Sequence, residues 1–321
     1  MERKLILDTD GGVDDAQALL MLIAAGRTPD LIITVFGNVD VSAATRNILS
    51  VLTVAGRPKV PVHIGADQPL AQPAIDATNI HGADGLGGTP RPATIPNPAG
   101  RDGVGVFVAT LQEAAEKGEA VDLLMIGPLT NLALALRQAP GCVAGVGQLT
   151  IMGGTMHGRG NITPAAEFNI FSDPEAAAIV FGADIDITMV PWETCLAQKL
   201  DGPEVDQYFA ALPDGLNQVF SNALAHHARS VIEGFGGGDH MRFVDPLAAA
   251  VVIDPTIVTK SQQACVEVAL ASGVTRGMTV VDPSGRLGTP NVRIVEAADP
   301  DRVIALYQAS VAHNTPQMAV L

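Results

Sequence analysis

Four carboxylates lie close together near the start of the chain, within the stretch LILDTDGGVDDAQALL: Asp8, Asp10, Asp14 and Asp15. The apolar run before them is typical of a buried strand, and the pattern after them is typical of a helix. Because like charges at this spacing repel one another, we expect a cation among them. Carboxylate oxygens select a hard ion such as Ca²⁺ or Mg²⁺. The stretch therefore predicts a divalent metal site where a strand passes into a helix.

The elements around these carboxylates follow an alternating order. Short apolar runs rich in β-branched residues predict strands at residues 4–8, 31–37, 60–65, 121–127, 148–154 and 185–190. Helical patterns lie between them, near residues 14–25, 42–56, 104–117, 129–138 and 173–182. Strands that are apolar on both faces and alternate with helices are typical of a covered parallel sheet. We therefore predict an α/β fold with an open, mostly parallel sheet and helices on both faces.

The remaining segments complete this arrangement. Residues 66–100 are rich in Pro, Gly, Ala and Asp and predict a long surface loop. Residues 202–253 predict helices with a glycine-rich interruption. The tail predicts a small C-terminal extension, with strands at 264–270, 277–281 and 292–296 and a helix near 299–313. Since no linker, internal repeat or low-complexity tract interrupts the chain, we predict a single domain over residues 1–321.

Polar clusters follow several of the predicted strands. DTDGGVDD follows the first strand, GNVD the second, GPLTN the fourth and GGTMHGRGN the fifth. In open parallel sheets, ligands bind beyond the carboxyl ends of the strands. We therefore expect these clusters to meet at one edge of the sheet and to form one site there.

The composition limits the class of partner. The chain has 19 Lys and Arg against 34 Asp and Glu, a net charge of −15, which argues against a nucleic-acid or membrane partner. Its N-terminus is typical of neither a signal peptide nor a membrane anchor. Three cysteines, Cys142, Cys195 and Cys265, are too few and too scattered for a disulfide framework or a zinc site. We expect a cytoplasmic enzyme or binding protein with a small-molecule ligand.

The acidic stretch resembles the N-terminal signature of the calcium-dependent nucleoside hydrolases of the inosine-uridine preferring type, with Gly11 where the usual form has Pro. The resemblance continues through GNVD (37–40), NIHGADGLGG (79–88), IGPLTNLALAL (126–136), GNITPAAEFNI (160–170) and VDPLAAAVVIDP (244–255). It implies the nucleoside hydrolase fold and a homodimer or homotetramer. It also implies hydrolysis of the N-glycosidic bond of a ribonucleoside to the free base and ribose.

The resemblance to this family also implies a metal site. It implies one Ca²⁺ held by the side chains of Asp10, Asp15 and Asp245 and by the backbone carbonyl of Ile126. Three carboxylates and a carbonyl suit a hard ion with six to eight oxygen ligands. Asp10 also matches the general base that activates the attacking water.

Ribose contacts follow from the same match. Asn161 and Glu167 match the contacts to the 5′-hydroxyl, and Asp14 and Asn169 match those to the 2′-hydroxyl. We expect Asn38 to join them. A buried neutral sugar needs paired donors and acceptors, because buried polar groups left without partners are costly.

One position departs from the family pattern. Well-known members carry a His directly before the last Asp ligand, and that His protonates the leaving base, whereas this chain has Val244. General-acid help is typically worth ~10²–10⁴ in rate. Candidates for a substitute acid are His81, His226, His227 and His240; the last lies on the same helical face as Val244 if that stretch is helical.

Two further residues are candidates for contacts with the base. Trp192 is the only tryptophan of the chain and follows a predicted strand, so its ring could stack on a base. Asp40, at the end of GNVD, is expected near the place where the base lies and could contact a base edge.

Two alternative functions stay open at this point. The D-x-D after the first strand also opens the phosphohydrolases of the haloacid dehalogenase type, but Gly12 stands where those enzymes carry Thr or Val. The other alternative is a ribose- or nucleoside-binding protein with weakened catalysis, which Val244 would suit and which the retained Asp10 argues against.

Overall fold

The structure is a computed structural model, and it describes residues 2–313. Its strands are β1 (Lys4–Thr9), β2 (Leu31–Thr34), β3 (Val62–Ile64), β4 (Val121–Met125), β5 (Val146–Met152), β6 (Asp186–Val190), β7 (Lys199–Asp201), β8 (His240–Arg242), β9 (Val258–Val268), β10 (Thr279–Asp282) and β11 (Val292–Ala298). Its α-helices are α1 (Val13–Ala24), α2 (Val41–Val54), α3 (Thr78–His81), α4 (Gly103–Glu116), α5 (Thr130–Gln138), α6 (Phe168–Ser172), α7 (Pro174–Phe181), α8 (Trp192–Leu196), α9 (Gly202–Ala210), α10 (Leu216–Gly234), α11 (Asp245–Ile253) and α12 (Pro300–Ala312).

Nine strands form the central sheet, in the order β10-β9-β11-β6-β5-β4-β1-β2-β3. The seven strands from β11 to β3 run parallel to their neighbours. At the other edge, β9 is antiparallel to β11, and β10 is antiparallel to β9. The predicted open, mostly parallel sheet is therefore confirmed, and the strands of the C-terminal extension lengthen this same sheet.

Helices cover both faces of the sheet. Leu5 and Leu7 of β1 pack into one hydrophobic core, which includes buried residues of α1, α10, α11 and α12. Ile6 points to the opposite face and packs into a second core with buried residues of α4, α5 and α7. Successive side chains of a strand point to opposite faces, so a strand covered on both sides must be apolar throughout. This explains the unbroken apolar run before Asp8.

The predicted helical segment 202–253 is only partly helical. It contains α9, α10 and α11, but residues 240–242 form β8, which pairs antiparallel with β7 in a separate two-stranded sheet. The helical interpretation of His240 through Val244 is therefore wrong. A three-residue strand carries no detectable periodicity, and here it is set by pairing with a distant segment, Asp201 with His240 and Lys199 with Arg242.

Other boundaries differ more modestly. Strand β9 begins at Val258, earlier than predicted, because its first residues pair with the end of β11 at the sheet edge. Strand β2 ends at Thr34, and the segment predicted as a long surface loop contains the single-turn helix α3. The closing helix is confirmed as α12. The single-domain prediction stays a prediction, and Met1 and residues 314–321 lie outside the described residues.

The turn between β1 and α1 places the acidic stretch. Gly11 has a φ of +68°, a conformation that glycine favours, and Gly12 is the N-cap of α1. The Gly12 N–H donates to Asp15 Oδ2 at 2.8 Å, so Asp15 caps the helix that it begins. Asp14 and Asp15 lie in the first turn, where negative charge interacts favourably with the helix dipole.

Candidate active site

A cavity of about 670 Å³ opens at the carboxyl edge of the parallel strands. The lining includes nine of the residues predicted from the sequence: Asp14, Asn38, His81, Ile126, Asn161, Glu167, Asn169, Trp192 and Asp245. They come from segments far apart in the chain, which follow each of the strands β1 to β6 or begin α11. The expectation that the polar clusters meet at one edge of the sheet is therefore confirmed.

Carboxylates form the floor of the cavity. Oxygens of Asp14, Asp15 and Asp245 all lie within 4.8 Å of one another. Asp10 lies beside them, fully buried, where Asn38 donates to its Oδ1 from Nδ2 and to its Oδ2 from the backbone N–H, both at 2.8 Å. The same Asn38 amide donates to Asp15 Oδ2 at 3.0 Å. Asp14 thus belongs to the carboxylate cluster, although the resemblance implied only a sugar contact for it.

In the absence of a cation, burial favours the neutral, protonated form of these carboxyl groups. It raises the pKa of Asp14 to about 6, and it raises the pKa values of Asp10 and Asp245 well above their usual range, with further increases from neighbouring carboxylates. Asp14 Oδ1 is buried and has no hydrogen-bond partner among residues 2–313. Oxygen ligands, close spacing and an unpaired carboxylate oxygen fit a hard divalent cation.

Ile126 lines the same cavity, and its carbonyl is tied to Asn169. The Asn169 amide donates from Nδ2 to this carbonyl at 3.3 Å and to the Met152 carbonyl at 3.1 Å. Because both donors of the amide are thereby used on backbone carbonyls, Asn169 Oδ1 is left to accept a hydrogen bond from a ligand.

Glu167 and Asn161 hold the segment between β5 and α6. Glu167 caps α6, with Oε1 accepting from the Asn169 N–H and Oε2 accepting from the Gly154 N–H, both at 2.8 Å. Burial raises the pKa of Glu167 to about 7, although these hydrogen bonds oppose the increase. Asn161 Oδ1 accepts from the Phe168 N–H at 2.8 Å, which leaves its NH₂ group for a ligand at the exposed rim.

His81 packs against the turn that carries the carboxylates. Its Nδ1 accepts from the Val13 N–H at 3.1 Å and lies 3.7 Å from Asp14 Oδ1. Burial lowers the pKa of His81 to about 4, so the ring is neutral at neutral pH. With Nδ1 acting as an acceptor, the ring proton lies on Nε2, and His81 is a hydrogen-bond donor through that atom.

The wall above the carboxylates is largely apolar. Trp192 and Val244 line it, together with Val231, Ile232 and Phe235 from the end of α10. His227 also lines the cavity, and its Nε2 is 2.9 Å from the Ile80 carbonyl, a bond that ties α10 to α3. His226 lines a neighbouring cavity instead. An apolar wall opposite a polar floor suits a ligand with an aromatic part and a polar part.

Two predicted site residues lie away from the cavity. Asp40 is exposed and caps α2, accepting from the Ser42 and Ala43 N–H groups at 2.9 Å. The expectation that it contacts a base is not supported by this position. His240 lies in β8 and does not line the cavity, and burial together with the nearby cations of Arg242 and Lys199 lowers its pKa. It is therefore badly placed to protonate a leaving group.

Four polar residues of the lining were missed from the sequence: Gln17, Asp76, Asn79 and Arg242. Arg242 lines the cavity beside Val244 and Asp245. Its position two residues before Val244 was the available signal, since residues two apart in an extended chain share a face. The helical interpretation of this segment concealed that relation.

The fold and the cavity define an α/β enzyme with a polar, carboxylate-floored pocket for a small molecule. A sequence model of the inosine-uridine preferring nucleoside hydrolases matches residues 5–305. The chain therefore belongs to the inosine-uridine preferring nucleoside hydrolase family and is a nucleoside N-ribohydrolase. This assignment excludes the haloacid dehalogenase alternative.

Individual relatives agree with the family assignment. The non-specific ribonucleoside hydrolase RihC of Klebsiella pneumoniae is 40% identical over 293 residues, which cover 90% of this chain and 91% of that protein. The Schizosaccharomyces pombe protein C1683.06c, described as uncharacterized, is 37% identical over 286 residues, 87% of this chain and 89% of that protein.

Solved structures agree as well. The plant nucleoside hydrolase PpNRh1 has a TM-score of 0.88 at 28% identity and covers 97% of this chain and 99% of its own. An inosine-guanosine nucleoside hydrolase has a TM-score of 0.87 at 28% identity and covers 98% of this chain and 100% of its own. The predicted nucleoside hydrolase fold is therefore confirmed.

Proposed function

We propose that this enzyme hydrolyses ribonucleosides to free base and ribose with a calcium ion bound at the floor of the cavity. The observation that carries the proposal is the convergence of buried carboxylates from the β1–α1 turn and the start of α11 on one point of the cavity. Such a cluster is costly without a cation, and its ligands are all oxygen. A ribonucleoside fits a cavity with a polar floor and an apolar wall.

Asp10, Asp15, Asp245 and the carbonyl of Ile126 would hold the ion. Asp14 is an additional candidate ligand, because its carboxylate is part of the closely spaced set and carries an unpaired oxygen. A bound divalent cation would supply positive charge that makes water easier to deprotonate. Oxygen ligands suit Ca²⁺ and Mg²⁺ alike, so we propose Ca²⁺ on the family resemblance.

Asp10 accepts the proton of the attacking water in this mechanism. Its two hydrogen bonds with Asn38 orient the carboxylate, and its neighbour Asp15 is oriented by Thr9 and Gly12. The oxygen of the water bonds to the anomeric carbon as the bond from that carbon to the base breaks. The buried carboxylates favour the positive charge that develops on the ribosyl group at this stage.

The ribose is held by Asp14, Asn38, Asn161, Glu167 and Asn169. Glu167 and Asn169 Oδ1 are acceptors for hydroxyl groups, and the Asn161 NH₂ group is a donor at the rim. The base lies toward Trp192 and the apolar end of α10. His81 is the histidine that we propose to contact the leaving base, through Nε2–H.

Release of ribose from a panel of nucleosides tests the proposal. Purified enzyme reconstituted with Ca²⁺ should release ribose from ribonucleosides and lose this activity on chelation. Binding of nucleosides with no release of ribose would favour instead the weakened-catalysis alternative, which Val244 motivates.

The homodimer or homotetramer and the cytoplasmic location stay predictions. Light scattering after gel filtration would measure the oligomeric state. No helix among residues 2–313 is long and apolar enough to cross a membrane.

A further inference from the structure

Arg242 is the last residue of β8 and lies on the wall of the cavity. The chain follows this wall from Arg242 through Val244 to Asp245, where α11 begins at the carboxylate floor. Among the described residues that line the cavity, Arg242 is the only Lys or Arg. The cavity therefore has carboxylates at its floor and a single fixed cation on its wall.

The guanidinium of Arg242 has no protein partner in the described part of the chain. No carboxylate within residues 2–313 lies within 4.0 Å of it, and its Nε is buried without a hydrogen bond. Arg229, on α10, is different: it is paired with both Asp206 and Asp239. Lys199, which stands opposite Arg242 in the β7–β8 ladder, is paired with Asp201 and so offers Arg242 no compensation. Arg242 is thus a half-buried cation in the cavity wall whose buried Nε has no partner among residues 2–313, and this points to a ligand.

We propose that Arg242 stabilises the leaving base as negative charge develops on it. This proposal rests on the proposed function and deepens it. When the bond between the anomeric carbon and the base breaks, its electron pair stays on the base. Val244 has no proton to give, and a guanidinium stays protonated, so Arg242 acts by charge and hydrogen bonds. The base takes its proton from solvent after it departs.

The geometry of a guanidinium predicts which bases benefit. Its donors form a planar fork that pairs with two acceptors, as in the pairing of Arg with O6 and N7 of guanine. Hypoxanthine presents the same two acceptors. Adenine presents N7 beside an amino group, which is a donor like the guanidinium itself. Arg242 should therefore assist inosine more than adenosine.

Replacement of Arg242 in the calcium-loaded enzyme tests this role. For Arg242→Met we expect kcat/KM for inosine to fall by about 10²–10³-fold, the usual loss for one charge-stabilising donor. The loss for adenosine should be smaller. For p-nitrophenyl riboside it should be under about tenfold, because p-nitrophenolate is a stable anion without help. Arg242→Lys keeps the charge but not the fork, and should lie between wild type and Arg242→Met on inosine.

Two further variants separate this role from a structural one. Lys199→Met removes the exposed cation opposite Arg242 and should leave kcat/KM for all three substrates unchanged. Arg242→Ala should regain inosine hydrolysis when guanidinium ion is added at concentrations that do not unfold the protein, with no such gain for Lys199→Met. Melting temperatures of all variants check the fold.

The outcomes distinguish the two proposals. Equal losses on the three substrates, or inosine hydrolysis retained in Arg242→Met, would overturn the role of Arg242 and leave the proposed function intact. A wild-type enzyme that releases ribose from no nucleoside would overturn the proposed function, and the role of Arg242 with it. A graded loss with guanidinium rescue would support the assignment.

Discussion

Replacement of Glu167 by Gln should change how the stability of the metal-free protein depends on pH. Glu167 is 2% exposed and accepts backbone hydrogen bonds from Gly154, Asn169 and Ile170. Burial is the larger influence and raises the pKa of this carboxyl from 4.5 to about 7. The folded state therefore favours the neutral form, while the unfolded chain ionises near its ordinary pKa.

The size of the effect follows from this shift. The favourable contribution of the neutral carboxyl is complete below the unfolded pKa of 4.5 and is lost as the pH rises through the folded pKa of about 7. The shift of about 2.5 pKa units corresponds to about 3 kcal/mol of unfolding free energy at 1.36 kcal/mol per unit. For a chain of this length, that loss lowers the melting temperature by about 5 °C.

Urea unfolding followed by circular dichroism measures this contribution in the presence of chelator. Glu167→Gln has no charge to bury, but it loses an acceptor for backbone N–H groups, which costs about 1–3 kcal/mol. At about pH 4.5 the variant should therefore be less stable than wild type. By about pH 8 it should have gained about 3 kcal/mol relative to wild type. A difference between the two proteins that stays constant over this pH range would refute the reasoning.

Three further predictions concern the reaction. Asp15→Asn should abolish Ca²⁺ binding in calorimetry together with ribose release, as chelation should; full activity in metal-free wild type, checked by elemental analysis, would contradict the metal site. Asn169→Ala should reduce kcat/KM for inosine, because it removes an acceptor proposed for the 2′-hydroxyl, and should have little effect on 2′-deoxyinosine; wild type acting equally on both substrates would count against this contact. Val244→His should raise kcat for inosine, by up to ~10²–10⁴-fold, and leave p-nitrophenyl riboside unchanged. If p-nitrophenyl riboside were accelerated equally, the lack of an acid at position 244 would not be what limits wild type.

The boundaries that the sequence predicted well share a physical origin. Strand β1 is apolar on both faces up to Asp8 and ends at Thr9, and the helix after it begins with acidic residues and a glycine cap. Such features are local, because burial on two faces and helix capping both act within a few residues of the chain. The carboxylate cluster was predictable for the same reason, since three of its members belong to one turn.

The main error in secondary structure lies where a distant segment decides. His240 through Arg242 form a strand only because residues 199–201 are beside them, and three residues have no period to detect. Asp40 was expected at the base and instead caps α2, an interaction that a residue before any helix can make. Asp14, which the resemblance assigns to the ribose, also belongs to the carboxylate cluster, since its oxygen lies within 4.8 Å of oxygens of Asp15 and Asp245.

By itself, the sequence determined the alternation of strands and helices, the family, and the residue types that reach the carboxyl edge of the sheet. The periodicity of apolar residues and short sequence motifs contain that information, and both can be recognised in the sequence alone. Only the tertiary structure decided which carboxylates meet, which histidine lies against them, and that Arg242 lines the cavity with no partner in the described part of the chain. Those facts depend on distances between residues from opposite ends of the chain, which packing of the two faces of the sheet brings together.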